Sequence, residues 1–254
     1  MTAADPHDQY VAGFRERLLA MRRSGQQLVE GPGFVGLLGA AGAVDGRVLV
    51  SDDRALDLLT DRLPVLRTLV VNVFAAAEAC HRLLAGTPGY RRDATTAMVC
   101  DDLAAVPGPV LPEGLSLRRA GGPEGSGVPL EDAAAAALRS DPSSSPVDEL
   151  AGFLAYLRSV PNARYLAATD QDGHVRATAA SANFGRSTAV FFVNTDPDWR
   201  GRGVGTAMTG AALHAAADAG AQSALLDASA LGHSIYRRLG FTAVAPNTLF
   251  VRTA

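Results

Sequence analysis

Residues 200–206, Arg200-Gly201-Arg202-Gly203-Val204-Gly205-Thr206, bring together the positive charge and the glycine that an anion site needs. An apolar run from Ala189 to Val193 leads into them, and an Ala-rich helical pattern from Val204 to Ala219 follows. The segment therefore reads as a strand, a short loop and a helix with a glycine-crowded first turn. A helix N-terminus presents unpaired N–H groups and roughly half an elementary positive charge. Glycines at 201, 203 and 205 remove Cβ atoms, which lets an anion approach those N–H groups, and Arg200 and Arg202 add charge beside them. This is the chemistry of a diphosphate cradle.

Two common diphosphate loops are excluded by spacing. A P-loop needs Gly-Lys-Ser/Thr at the helix start, and the chain has none; with no Walker-type lysine or acidic partner for Mg²⁺, a nucleotide-binding protein is disfavoured. A dinucleotide fingerprint needs Gly-x-Gly-x-x-Gly, whereas Gly201, Gly203 and Gly205 are followed by Thr206. The spacing that fits is Arg-x-x-Gly-x-Gly, carried by Arg200, Gly203 and Gly205. A second motif lies about thirty residues on. Ala224 to Ser229 reads as a buried strand, followed by Leu231-Gly232-His233-Ser234-Ile235-Tyr236-Arg237-Arg238-Leu239-Gly240-Phe241. Together, in this order and spacing, the two motifs resemble the signature of the GNAT superfamily, the acyl-CoA-dependent N-acetyltransferases, over roughly residues 115–254.

The resemblance implies a GNAT fold, an α/β architecture with a central mixed sheet whose strands splay apart, and acetyl-CoA as co-substrate. It implies that backbone groups of Val193, Asn194 and Thr195 hold the pantetheine arm, with the Val193 N–H as oxyanion donor; the alternative for these three is an ordinary central strand. The pyrophosphate falls to Arg200, Gly201, Arg202, Gly203, Val204, Gly205 and Thr206. Tyr236 is the implied general acid: a phenol with an intrinsic pKa of ~10 stays protonated at neutral pH and can protonate a departing thiolate. A core aromatic is the alternative. Ser229 matches a position that contacts CoA or orders water, and reads equally as a helix cap. The strand 187–193 carries no carboxylate, where some GNAT enzymes place a glutamate base, so no base is assigned. Glu131, Asp132, Asp148 and Glu149 near the acceptor side read better as solvated charges or caps.

The elements that must position these groups are legible in outline. Val106 to Gly114, with three prolines and two glycines, is a linker or an ordered extended crossing. After it come a strand at 115–118, a loop at 121–129 and helices at 130–139 and 146–160, the second capped by Ser145 with Pro146 in its first turn. Strands at 164–169 and 174–183 join through Asp170-Gln171-Asp172-Gly173, and Leu239-Gly240-Phe241 enters a last hairpin.

The N-terminal part reads as a helix at 10–23, a strand at 46–50, a helix at 54–63, a strand at 68–73, a helix at 75–84 and a strand at 94–100. Leu69 to Val73 echoes Leu225 to Ser229, Cys80 to Leu84 echoes Ile235 to Leu239, and Met98 to Cys100 echoes Leu249 to Val251. Residues 1–105 are thus expected to form a degenerate, incomplete GNAT-like domain, 106–114 a linker and 115–254 the GNAT domain; an unrelated α/β extension is the alternative. In the copy, Ser51-Asp52-Asp53-Arg54 stands where the glycines should be, and its carboxylates would repel a pyrophosphate. One CoA site per chain is expected.

Bulk properties bound the class of partner and compartment. The 254 residues are 48% hydrophobic, enough for a core, and carry a net charge of −3, which gives no reason to expect nucleic acid or an anionic membrane as partner. No apolar run reaches the ~18 residues of a membrane span. Cys80 and Cys100 make no disulfide framework, so a reduced cytoplasmic protein is expected. His7, His81, His174, His214 and His233 do not cluster, and no metal is expected. The expected activity is acetyl transfer from acetyl-CoA to a primary amine. A non-catalytic CoA-binding or assembly protein is the alternative, and a homodimer remains open.

Overall fold

The computed structural model describes residues 5–22, 25–39, 46–62, 69–121, 127–140 and 148–252. The chain forms two compact units: Met1–Val99 with Asp227–His233 and Thr242–Ala254, and Cys100–Leu226 with Ser234–Phe241. The C-terminal strand groups with the first unit because it hydrogen-bonds to strands of that unit.

The first unit begins with helix α1 (Pro6–Met21) and a hairpin, β1 (Gln26–Gly31) and β2 (Phe34–Gly39). Then come β3 (Gly46–Val50), a 3-10 turn at Asp53–Ala55, α2 (Leu56–Arg62), β4 (Leu69–Phe74), α3 (Glu78–Gly86) and β5 (Tyr90–Cys100). Its strands run in the order β1-β2-β3-β4-β11-β5, where β11 is Thr242–Arg252. β3 and β4 are parallel, and β11 is antiparallel to both β4 and β5. The expected last hairpin is therefore one long strand, which bends at a bulge between Ala243 and Ala245 rather than turning back. Val48, Val50, Val71, Val73, Leu84 and Phe250 form its core, each buried to within 1%. Full burial of such a side chain contributes about 1.5–3 kcal/mol.

The second unit carries β6 (Ser116–Ala120), α4 (Leu130–Ser140), α5 (Asp148–Ser159), β7 (Ala163–Thr169), β8 (Val175–Phe184), β9 (Ser187–Thr195), α6 (Val204–Ala217), β10 (Ser223–Ala228) and α7 (His233–Arg238). Strand order is β10-β9-β8-β7-β6, antiparallel except for the parallel β9–β10 pair. The 170–173 turn forms as expected: Asp170 Oδ1 accepts the N–H groups of Asp172 and His174, and Gly173 takes φ +84°. The expected cap at Ser145 and Pro146 lies outside the described residues.

Helix α6 is apolar on nearly every side, as a helix buried on two faces must be. Val204, Met208, Ala211 and Ala212 pack on the sheet with Leu166, Ala168, Ala177 and Ala179. The Val106–Gly114 stretch covers the helix elsewhere, which makes it an ordered crossing. A Cβ on Gly210 would lie 3.6 Å from the Pro107 carbonyl, and His214 Nε2 sits 3.2 Å from the Val106 carbonyl oxygen.

Both units share one connection pattern. An antiparallel meander (β1-β2-β3; β7-β8-β9) leads through a helix to a parallel neighbour (β3–β4; β9–β10), then to a second helix. The echo heard in the sequence is thus a repeated topology. The β1–β2 hairpin, absent from the sequence reading, completes the meander of the first unit.

Candidate functional site

Strand β9 is shaped by two irregularities. Its parallel pairing with β10 covers only Ser187–Ala189 against Ser223–Leu225, so the registered pairs stop before Val190. On its other side the ladder passes from Ala180↔Phe191 to Thr178↔Asn194, so Phe192 and Val193 together oppose Ala179. This is a bulge with one extra residue, and Phe192 adopts φ +59°, which a bulky residue holds only under constraint. The Thr178 hydroxyl donates to the Phe192 carbonyl at 2.9 Å and supplies part of that constraint. The bulge interrupts the ladder at Val193, next to Asn194 and Thr195, the three residues expected to face the pantetheine arm.

The chain then leaves β9 through a tightly held turn. Asp196 caps a 3-10 turn at Pro197–Trp199 by accepting the Asp198 N–H at 3.0 Å. The Asp196 N–H donates to the Arg176 carbonyl at 2.8 Å, and the Arg176 guanidinium returns a bond to the Asp196 carboxylate at 3.1 Å. Arg176 also grips Asp170 at 2.7 Å, which helps hold that carboxyl below its usual range. The sequence reading missed Arg176, Asp196 and Trp199, although Asp-Pro ahead of a short turn is a visible capping signal.

Gly201 and Gly203 take φ +73° and +82°, the left-handed region that other residues enter at a cost. Gly203 is the N-cap of α6, and its carbonyl accepts the Ala207 N–H at 3.0 Å. Among the described residues, the N–H groups from Gly201 to Thr206 make no backbone hydrogen bond of normal geometry outside the helix ladder. Gly205 is needed for a different reason than the other two. A Cβ there would lie 3.0 Å from Ile235 Cδ1 and 3.5 Å from Thr195 Oγ1, so its absence lets the first turn of α6 pack closely on α7 and the end of β9.

The two arginines behave differently. Arg202 is exposed and stacks on the Trp199 ring at 5.1 Å, leaving its charge at the surface of the turn. Arg200 donates from Nε to the Thr195 carbonyl at 3.1 Å and from Nη2 to the Ser140 carbonyl at 2.6 Å. Two of its three side-chain nitrogens are thus engaged by the backbone.

Tyr236 sits on α7 directly after Ile235, 8% exposed and edge-on to Phe241 at 5.8 Å. Burial pushes its phenol up to about 12, so it is protonated throughout the physiological range. Ser229 groups with the first unit, where its Oγ accepts the Gly232 N–H at 3.3 Å ahead of α7; that is capping geometry. Glu131 pairs with Arg158, as a surface charge does. Asp170, Asp172 and His174 bring ligand atoms within 4.8 Å of one another, but the Asp170 carboxylate is already committed to Arg176 and to two N–H groups.

At the corresponding place in the first unit, side-chain carboxylates take up backbone N–H groups. Asp52 accepts the Arg54 N–H at 2.9 Å, and Asp53 Oδ1 accepts the Ala79 and Cys80 N–H groups at 2.7 and 3.0 Å. The carboxylates expected to repel a pyrophosphate instead occupy N–H groups themselves. A cavity of about 270 Å³ lies beside them, lined by His7, Val11, Phe34, Leu49 and Ser51.

Comparison with known proteins bears on this arrangement. Residues 161–243 match the family model of the acetyltransferase (GNAT) domain, a span running from β7 to the start of β11. No match is found among curated protein sequences. A GCN5-related N-acetyltransferase from Kribbella flavida superposes with a TM-score of 0.65 at 18% identity, over 99% of this chain and 97% of the other. A putative GNAT-family acetyltransferase from Novosphingobium aromaticivorans gives 0.54 at 18% identity, over 98% of each chain. A tandem GNAT protein from the clavulanic acid biosynthesis pathway gives 0.52 at 16% identity, over 97% and 95%. The chain therefore carries a GNAT domain at residues 161–243 and is built, over nearly its whole length, on the fold of the GCN5-related N-acetyltransferases.

Proposed function

We propose that the chain transfers an acetyl group from acetyl-CoA to a primary amine of a small molecule or of a protein or peptide, with one CoA site per chain. The observation that carries this reading is the run of N–H groups from Gly201 to Thr206 with no backbone hydrogen bond outside the helix ladder, set at the left-handed start of α6 directly after a bulged, partly unpaired strand. In this reading the loop from Arg200 to Thr206 binds the pyrophosphate, with Arg202 supplying charge to it and Arg200, bonded to two carbonyls, holding the loop in place. Val193, Asn194 and Thr195 hold the pantetheine. The Val193 N–H stabilises the thioester oxygen as the amine adds to the carbonyl carbon. The C–S bond then breaks, the amine loses its proton to solvent, and Tyr236 protonates the departing thiolate. The expected domains, 1–105 and 115–254, are kept as units of descent: the second contributes its last strand, β11, to the first unit.

The absence of a carboxylate from β9 favours a second reading, a CoA-binding protein without turnover. A panel of primary amines with acetyl-CoA, read as release of free CoA thiol, separates the two. Turnover that falls on the order of 100-fold in Tyr236→Phe while acetyl-CoA affinity is kept supports the enzyme. Binding with no thiol release from any amine supports the alternative.

A further inference from the structure

We propose that Arg200 is a positioning residue that latches the loop at 200–206 to the last turn of α4, so that loading of the loop is transmitted to that helix end. The coupling rests on the reading of the loop as a CoA site; the latch itself does not.

The two bonds of Arg200 reach one place 5 residues before it in sequence and another 60 residues before it. Nε holds Thr195, the last residue of β9, and Nη2 holds Ser140, the last residue of α4. A C-terminal carbonyl is where a helix concentrates negative charge, so a guanidinium is well matched to it. Ser140 is itself fixed: it is 9% exposed, and its hydroxyl donates back to the Ala136 carbonyl at 2.9 Å. α4 packs on α5 through Ala133, Ala137, Leu154 and Leu157, so the latch reaches a two-helix layer. On its other side, the loop is pinned through Asp196 to Arg176. Arg200 thus ties the loop to α4, and its planar fork spans two carbonyls that an ammonium on a flexible stem cannot bridge in the same way. Arg202, exposed on Trp199, is left to meet a phosphate.

Amide hydrogen exchange of the full chain tests this, with and without acetyl-CoA, in the intact protein and in Arg200→Gln, Arg200→Lys and Arg202→Gln. The free Arg200→Gln and Arg200→Lys proteins should exchange at least tenfold faster over 136–140, because lysine restores the charge and not the fork. Arg202→Gln should exchange there as the intact protein does. Acetyl-CoA should slow exchange over 136–140 in the intact protein and not in Arg200→Gln. Acetyl-CoA affinity should lose more of its salt sensitivity in Arg202→Gln than in Arg200→Gln. Unchanged exchange in Arg200→Gln, or rescue by lysine, overturns the latch. An intact protein that binds no acetyl-CoA overturns the functional reading instead, and the free proteins still decide the latch.

Discussion

Gly203 and Gly205 stand two residues apart in one loop, yet the structure assigns them different costs on substitution by alanine. At Gly203, φ is +82° and a Cβ would meet nothing within 4 Å. The cost is therefore conformational, about 1–2 kcal/mol for an L-residue in the left-handed region. The reduced freedom of the unfolded chain returns about 0.4–1 kcal/mol. The net loss of about 1 kcal/mol should lower the melting midpoint by roughly 2–4 °C in a chain of this size. At Gly205 the backbone is already helical, and alanine gains up to about 1 kcal/mol of propensity. Against this, the new Cβ lies 3.0 Å from Ile235 Cδ1, inside the ~3.5–4.0 Å of comfortable carbon contact. The Ile235 methyl is the free end of a side chain, so relief costs about as much as the propensity gains, and stability should stay within about 0.5 kcal/mol of the original. The displacement falls on α7 one residue before Tyr236, so turnover rather than acetyl-CoA affinity should suffer. Gly203→Ala should instead weaken acetyl-CoA, since its strain falls on the left-handed start of α6, where the N–H groups proposed to take the pyrophosphate are set. Urea unfolding and acetyl-CoA titration of both variants decide it. A Gly203→Ala protein as stable as the original, or a Gly205→Ala protein less stable than Gly203→Ala, refutes the reasoning.

Two further outcomes follow from named contacts. The Tyr236 phenol is raised from about 10 in the unfolded chain to about 12 when folded, so the unfolded state releases its proton first. Stability from this group is unchanged below pH ~10 and falls by about 2–3 kcal/mol as pH rises to ~12. Tyr10 is raised as well, by burial and the Asp227 carboxylate, so the difference between the intact protein and Tyr236→Phe in alkaline unfolding isolates Tyr236; equal slopes would contradict the assignment. Asp53→Ala removes the acceptor of the Ala79 and Cys80 N–H groups and should cost about 1–2 kcal/mol in urea unfolding without creating a second acetyl-CoA site; a stoichiometry of two in titration would show that the first unit keeps a working cradle.

What could be read from the sequence was the chemistry that is local in it. Glycines at 201, 203 and 205 with a strand before and a helix after identify the loop, because φ preference and helix ends are properties of a few consecutive residues. The reason for each glycine was not legible: two serve backbone geometry, and Gly205 serves a contact with Ile235, thirty residues on. The role of Arg200 was hidden for the same reason, since its carbonyl partner Ser140 is distant in the chain. The β1–β2 hairpin escaped notice because Gly31, Gly33, Gly36 and Gly39 break the alternation that marks strands, although the Pro32-Gly33 turn was in plain view. The exchange of β11 into the first unit depends on pairing with β4 and β5, more than 140 residues away, and no local pattern reports it.

The most direct test of the central claim is thermal unfolding of the full chain with and without acetyl-CoA, repeated on Gly203→Asp. A carboxylate at 203 would set a negative charge against the N–H groups expected to take the pyrophosphate. Ligand at about 100 times its dissociation constant should stabilise the intact protein by about 2.7 kcal/mol, a shift of several degrees, and the variant should show none. No shift in the intact protein at millimolar ligand, or an equal shift in the variant, would contradict the account.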